Sequence, residues 1–166
     1  MISSDEIVHR FLRDDPKVRD AIVERLGESV LDEDGEIDRP SVAEAVFGDA
    51  EALAWLEGLL HPRVVATYLK WREDLAAQPD APAVCVTEVP LLYEVGGETR
   101  FDKVVAVTAS PEVRASRARR PVDERESRLL PDDEKLRRAD FAYVNDGTRK
   151  ELHRFVSDVM AKLNDP

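Results

Sequence analysis

The sequence predicts an α/β fold in which a parallel sheet is flanked by helices. Two observations carry this. Helical periodicity dominates the chain up to about residue 78. Beyond it come short β-branched apolar runs, "APAVCVTEVP", "DKVVAVTAS" and "FAYV", each followed by helical sequence. Runs that are apolar at nearly every position suit strands buried on both faces, as in a parallel sheet covered by helices.

The elements follow in order. "MIS" reads as the end of a short strand and "SDEIVHRF" as the first turns of a helix, with Ser3 and Glu6 spaced for a capping box. Val18, Ile22 and Leu26 recur at four-residue steps, and Gly27 stops that helix. "LDEDGEIDRP" is a polar turn centred on Gly35, and Pro40 begins a helix carrying Val42 and Val46. Asp49 caps a helix with Leu53, Leu56 and Leu60 on one face. Pro62 is expected to open a separate long helix bearing Val64, Tyr68, Trp71 and Leu75. Pro90 ends the first apolar run. Ser110 caps the helix after the second, with Pro111 at its first position. Thr148 and Glu151 form a capping box for the last helix, whose inner face is Leu152, Phe155, Val156, Val159 and Leu163. Three runs and a stub at Ile2 make a thin sheet, and the expectation is of a further strand before residue 1.

The 166 residues suffice for one sizeable core, so a single domain, 1–166, is expected. Hydrophobic residues are 43% and charged residues 36%, a globular composition. The net charge of −11 is uneven, −10 over residues 1–60 and −1 over the rest. An acidic front half argues against nonspecific nucleic-acid binding. No run of about 18 apolar residues occurs and no basic-then-apolar leader, so no membrane partner is expected. The single cysteine, Cys85, permits no intrachain disulfide and points to the cytoplasm.

Four stretches could carry chemistry. Asp5 lies in the first turn after a strand, where the helix dipole keeps a carboxylate ionised, although Asp suits any first turn. Glu88 stands at the carboxyl end of a strand, the edge at which open sheets bind ligands. After it, Pro90 forces an exit and Leu91, Leu92 and Tyr93 form an apolar lip beside Glu94, readable equally as a hydrophobic plug. Arg39 and His61 flank helices expected to pack together, and His61 reads either as a helix-end cap or as a ligand contact. Eight arginines, Arg114, Arg117, Arg119, Arg120, Arg125, Arg128, Arg137 and Arg138, fall between Ser110 and Asp140, with Lys135 among them. They suit either phosphate binding or a solvated face paired with nearby acids. No metal-ligand spacing, G-x-S-x-G turn, G-x-G-x-x-G fingerprint or G-x-x-x-x-G-K-[ST] loop occurs in these residues.

Taken together, "ISSDEIVH", "DGEIDRPSVAEAVFGD", "LEGLLHPRV", "VTEVPLLYE", "FDKVVAVTASPEVRASRARR" and "EKLRRADFAYVNDG" resemble the dephospho-coenzyme A kinase family from residue 2 to about 160. The resemblance implies a P-loop kinase-like fold with a helical acceptor subdomain at about 14–78 and an arginine-rich lid at about 117–133. It implies transfer of the ATP γ-phosphoryl group, with Mg²⁺, to the ribose 3′-hydroxyl of dephospho-coenzyme A. Asp5 matches the family's general base. Arg39 and His61 match positions around the acceptor, and Pro90, Leu91, Leu92 and Glu94 match its strand-end wall. Arg117 and Arg120 match arginines that approach the ATP phosphates, and Asn145 and Gly147 match the turn near the adenine. The metal ligands stay unassigned. In the family a strand, a phosphate loop and a helix precede "ISSDE". The expectation is therefore of a chain that starts late and is inactive or feeble as given. The alternative is a non-catalytic protein that binds dephospho-coenzyme A or coenzyme A.

Overall fold

The computed structural model describes residues 1–117 and 129–164. The chain forms two compact units, Met1–Val89 and Pro90–Pro166.

The first unit contains β1 (Ile2–Ser3), α1 (Ser4–Asp14), α2 (Pro16–Leu26), α3 (Arg39–Val46), α4 (Ala50–Ala76) and β2 (Thr87–Glu88). Asp15 caps α2 by accepting from the Lys17 and Val18 amides, and Pro16 supplies a preset φ at the first helical position. Gly27 ends it at φ +88°, a conformation that favours glycine. The acidic turn closes on itself: Asp32 Oδ1 accepts from the amides of Asp34 and Glu36, and Leu31 bridges to Ile37. Asp38 and Asp49 cap α3 and α4. The core of this unit joins Leu12, Val18, Ile22, Val30, Val42 and Leu60, with Val8, Phe11, Ile37, Trp55 and Leu56 packed around it. Each large apolar side chain so buried contributes about 1.5–3 kcal/mol.

Two expectations are corrected here. Pro62 lies inside α4 instead of opening a new helix, and the helix runs unbroken for 27 residues. Leu60 and Val64 are buried on either side of it, so one continuous packed face outweighs the roughly 3 kcal/mol cost of an internal proline. Arg63 Nη1 donates to the Leu59 carbonyl, one residue after the Gly58 carbonyl that Pro62 leaves without its helical donor. Ser3 sits at the N-cap position of α1, but its side chain makes no cap hydrogen bond, so the Ser3–Glu6 capping box is not formed. Instead the next residue ties the turn down, the Ser4 hydroxyl donating to the Glu88 carbonyl. β1 and β2 are parallel, with Ile2 opposite Thr87 and Ser3 opposite Glu88.

The second unit contains β3 (Val105–Thr108), α5 (Pro111–Arg117), α6 (Asp132–Arg138), β4 (Phe141–Val144) and α7 (Arg149–Leu163). β3 and β4 pair in parallel, Val105 opposite Phe141 through Thr108 opposite Val144. Asp140 sets their start by accepting from Lys103 Nζ and the Val104 amide, both at 2.9 Å. The predicted Thr148–Glu151 box is present, and α7 lays Phe155 on Tyr143 with ring centroids 4.7 Å apart. Of the inner face predicted for α7, Val159 is buried and Val156 is exposed.

The strands are not buried on both faces as their composition suggests. Val86, Val105, Val107 and Val144 are exposed, as is Cys85, and the "APAVCVTEVP" run yields only the two residues of β2. Among the described residues each sheet has two strands, so every strand keeps an open edge that no neighbour covers.

Candidate active site

In the first unit, the parallel β1–β2 pair ends at Ser3 and Glu88, and α1 starts at once. Asp5 therefore stands in the first helical turn at the carboxyl edge of the pair, exposed beside an uncapped helix N-terminus. That terminus carries partial positive charge. Glu88 ends the adjacent strand and is also exposed. Arg39 is the exposed first residue of α3, held there because Asp38 caps that helix through the Ser41 amide at 3.1 Å. His61 is half-buried within α4, so the helix-end capping role open to it from sequence does not arise. Among the described residues the side chains of Asp5, Arg39 and His61 make no hydrogen bond or ion pair, which leaves their polar atoms available to a ligand.

In the second unit, Arg117 and Asn145 are brought together at the carboxyl edge of β3–β4. Arg117 Nη1 donates to the Asn145 carbonyl at 2.8 Å, and the Asn145 amide donates to the Thr108 carbonyl at 2.7 Å. Gly147 lies in the turn between β4 and α7. A Cβ there would stand 2.3 Å from Glu151 Oε2, so a larger residue would push the carboxylate that caps α7 from its present position. Thr108 and Arg114 both donate to Asp132 Oδ2, at 2.6 and 2.8 Å. Arg120 lies outside the described residues.

Pro90, Leu91, Leu92 and Glu94 form the turn that opens this unit. Glu94 is largely internal: its side chain is 13% exposed and its Oε1 lies 2.7 Å from Lys135 Nζ. The Leu130 amide donates to the same oxygen at 3.1 Å. Burial pushes the Glu94 carboxyl up, but Lys135 and the amide donors outweigh it and hold the carboxyl below its ordinary value. Alongside, the Arg138 guanidinium lies 4.4 Å over the Tyr93 ring and pairs with Glu98. Burial raises the Tyr93 hydroxyl above its usual range, with Arg138 opposing.

The sequence reading passed over α6. "DDEKLRR" lacks a periodic apolar face, but Asp132, Asp133 and Glu134 in its first turn and Lys135, Arg137 and Arg138 in its last complement the helix dipole, a signal that could have found it. The pairings of Asp132 and Glu94 were legible only as charges, since their partners are distant in sequence. Among the described residues no three His, Cys, Asp or Glu side chains converge as a metal-holding group.

Parallel strand pairs whose strands run on into helices are α/β architecture, consistent with a P-loop kinase fold. The dephospho-CoA kinase family profile matches residues 1–151. A dephospho-CoA kinase of Protochlamydia amoebophila is 34% identical over 98% of this chain and 83% of its own length. One of Streptomyces avermitilis is 35% identical over 98% of this chain and 81% of its own. Among solved structures, the dephospho-CoA kinase of Campylobacter jejuni matches with a TM-score of 0.69 at 25% identity, covering 98% of this chain and 83% of that one. The chain belongs to the dephospho-CoA kinase family, whose members catalyse the last step of coenzyme A biosynthesis with ATP as co-substrate.

Proposed function

We propose that this protein transfers the γ-phosphoryl group of ATP to the ribose 3′-hydroxyl of dephospho-coenzyme A, with Asp5 as the residue that orients the hydroxyl and accepts its proton. The observation that carries the reading is the placement of an exposed carboxylate at the carboxyl edge of a parallel strand pair in a chain matched by the family from residue 1 to 151. Phosphoryl transfer asks the protein mainly for positioning and for charge around the transferring group. A carboxylate beside a helix N-terminus can align a hydroxyl and receive its proton as the oxygen–phosphorus bond forms.

In the first unit, the helical part at about 14–78 is assigned to the acceptor, with Arg39 and His61 as contacts. In the second, Pro90, Leu91 and Leu92 take an acceptor role through their apolar surface. Glu94 contributes by shaping that turn, since its carboxylate is engaged by Lys135. Arg117 and Arg120, in a lid at about 117–133, are assigned to the ATP phosphates, where guanidinium groups match phosphate geometry. Asn145 and Gly147 are assigned to the adenine end. Mg²⁺ is assigned to the reaction as an ion that the nucleotide phosphates bring, and no step above depends on a protein cage for it.

The test is formation of coenzyme A from dephospho-coenzyme A and ATP, followed by mass spectrometry of the product. Asp5→Asn is expected to lower kcat by about 100-fold or more while the acceptor dissociation constant stays within about threefold. Unchanged kcat in the variant removes Asp5 from the mechanism. Tight acceptor binding by the wild type without turnover replaces the kinase reading with that of a binding protein.

A further inference from the structure

The carboxyl edge of the second unit holds a closed circuit of hydrogen bonds. It leaves α5 at Arg114, whose Nη1 donates to Asp132 Oδ2 at 2.8 Å. The Thr108 hydroxyl donates to that same oxygen at 2.6 Å. The Thr108 carbonyl accepts from the Asn145 amide at 2.7 Å, and the Asn145 carbonyl accepts from Arg117 Nη1 at 2.8 Å, which returns the circuit to α5. Arg114 and Arg117 are three residues apart and share a helix face. Asp132, the first residue of α6, is the one acid in the ring.

We propose that Asp132 is a positioning residue that fixes Arg117 for contact with the phosphates of the nucleotide. The proposal rests on the nucleotide role assigned to Arg117 above. The reasoning starts from α5 itself. Among its described residues, Pro111–Arg117, none is buried, so core packing does not fix their rotation. Its placement comes from side-chain bonds. Ser110 caps it, the Ser110 amide is held by Asp146 at 2.7 Å, and Asp132 holds Arg114 from the opposite element. Because Thr108 ends β3, its hydroxyl ties the Asp132 carboxylate, and with it the helix face, to the strand end. The pair is about one-third exposed, so its value lies in geometry and not in net ion-pair stability.

Electrostatics alone predicts the opposite behaviour, and this makes the proposal sharp. Asp132 is a negative charge near an anion-binding arginine, so removing it would strengthen phosphate binding if charge were its whole effect. A positioning role requires weaker binding. The experiment measures ATP and dephospho-coenzyme A dissociation constants by calorimetry for the wild type, Asp132→Ala and Asp132→Asn. It also measures NMR relaxation of the Arg117 Nε–H group in each. Asp132→Ala is expected to weaken ATP binding about tenfold, leave dephospho-coenzyme A within about twofold, and mobilise the Arg117 guanidinium. Asp132→Asn keeps a carbonyl oxygen for Thr108 and Arg114 and is expected to recover most of the loss. Asp132→Ser, whose side chain is too short to hold both donors, is expected to lose as much as the alanine variant and supplies the measurement if that variant fails to fold. Unchanged or tighter ATP binding in both variants overturns the proposal, as does an equal loss for both ligands. If the wild type binds no ATP, the nucleotide reading fails separately. The relaxation data then still decide positioning, and an Arg117 that stays ordered in both variants overturns it.

Discussion

Replacing Lys135 with methionine removes the charged partner of an internal carboxylate while keeping most of the aliphatic stem. In the wild type Glu94 Oε1 receives Lys135 at 2.7 Å and the Leu130 amide at 3.1 Å, and the Oε2 atom is buried without a partner. Breaking a fully buried pair from one side costs about 3–5 kcal/mol. Lys135 is 20% exposed and Glu94 13%, so water can reach the orphaned carboxylate in part, and the expected loss is about 2–3 kcal/mol. Glu94→Gln should cost less, about 1 kcal/mol, because the amide oxygen still accepts from Leu130 and the lysine can turn to water. Urea denaturation reads both as a shift of the midpoint, near 1 M for Lys135→Met. The pH dependence supplies a second readout. The Glu94 carboxyl is held below its ordinary value in the fold, so its stabilising contribution is complete above the ordinary carboxylate range. It is lost as pH falls through the depressed folded value. Without Lys135, burial raises Glu94, and the variant is penalised most near neutral pH. The gap between wild type and Lys135→Met should therefore narrow as the pH falls from about 7 toward 4. A loss under about 0.5 kcal/mol, constant across that range, would refute the reasoning.

Ile22→Ala deletes a side chain with no exposure in the core of the first unit and is expected to cost about 3–4 kcal/mol in thermal or chemical unfolding. Thr148→Ala removes the hydroxyl that accepts from the Glu151 amide and is expected to cost about 1 kcal/mol, with fraying of the first turn of α7 visible by hydrogen exchange.

The legible parts of the fold were those in which local chemistry and packing agree. α2 ends at Gly27 and has Val18 and Ile22 fully buried, so stop signal and periodicity named the same helix. The Thr148–Glu151 box needs only residues three apart, and it formed. Ser3 and Glu6 have the same spacing, yet their box did not form, because Ser4 and the β1–β2 pairing fix that turn from a strand some 84 residues away. Pro62 misled for a related reason: a local breaker was overruled by the burial of Leu60 and Val64, which only the packed α4 reveals. Of the candidate residues, Asp5 follows a strand end in the first unit as its sequence position suggests, and Arg117 and Asn145, which meet in the second, were marked only by family spacing. Thr108 and Asp132 could not, since their bond joins residues 24 apart across two elements and neither lies in a recognisable motif.

The pairing of β1 with β2 sets a clock on synthesis. The Ile2 amide donates to the Val86 carbonyl, and Ile2 lies opposite Thr87, so the two halves of this sheet are made about 85 residues apart. At about 5–20 residues per second, the ribosome delivers β2 roughly 4–17 s after β1. Helices α1 to α4 can gather around Ile22 during that interval, while the turn that presents Asp5 still lacks the strand that secures it. The carboxyl edge bearing Asp5 is thus among the last features of its unit to be completed, and a nascent chain halted before Glu88 carries a formed helical core without it.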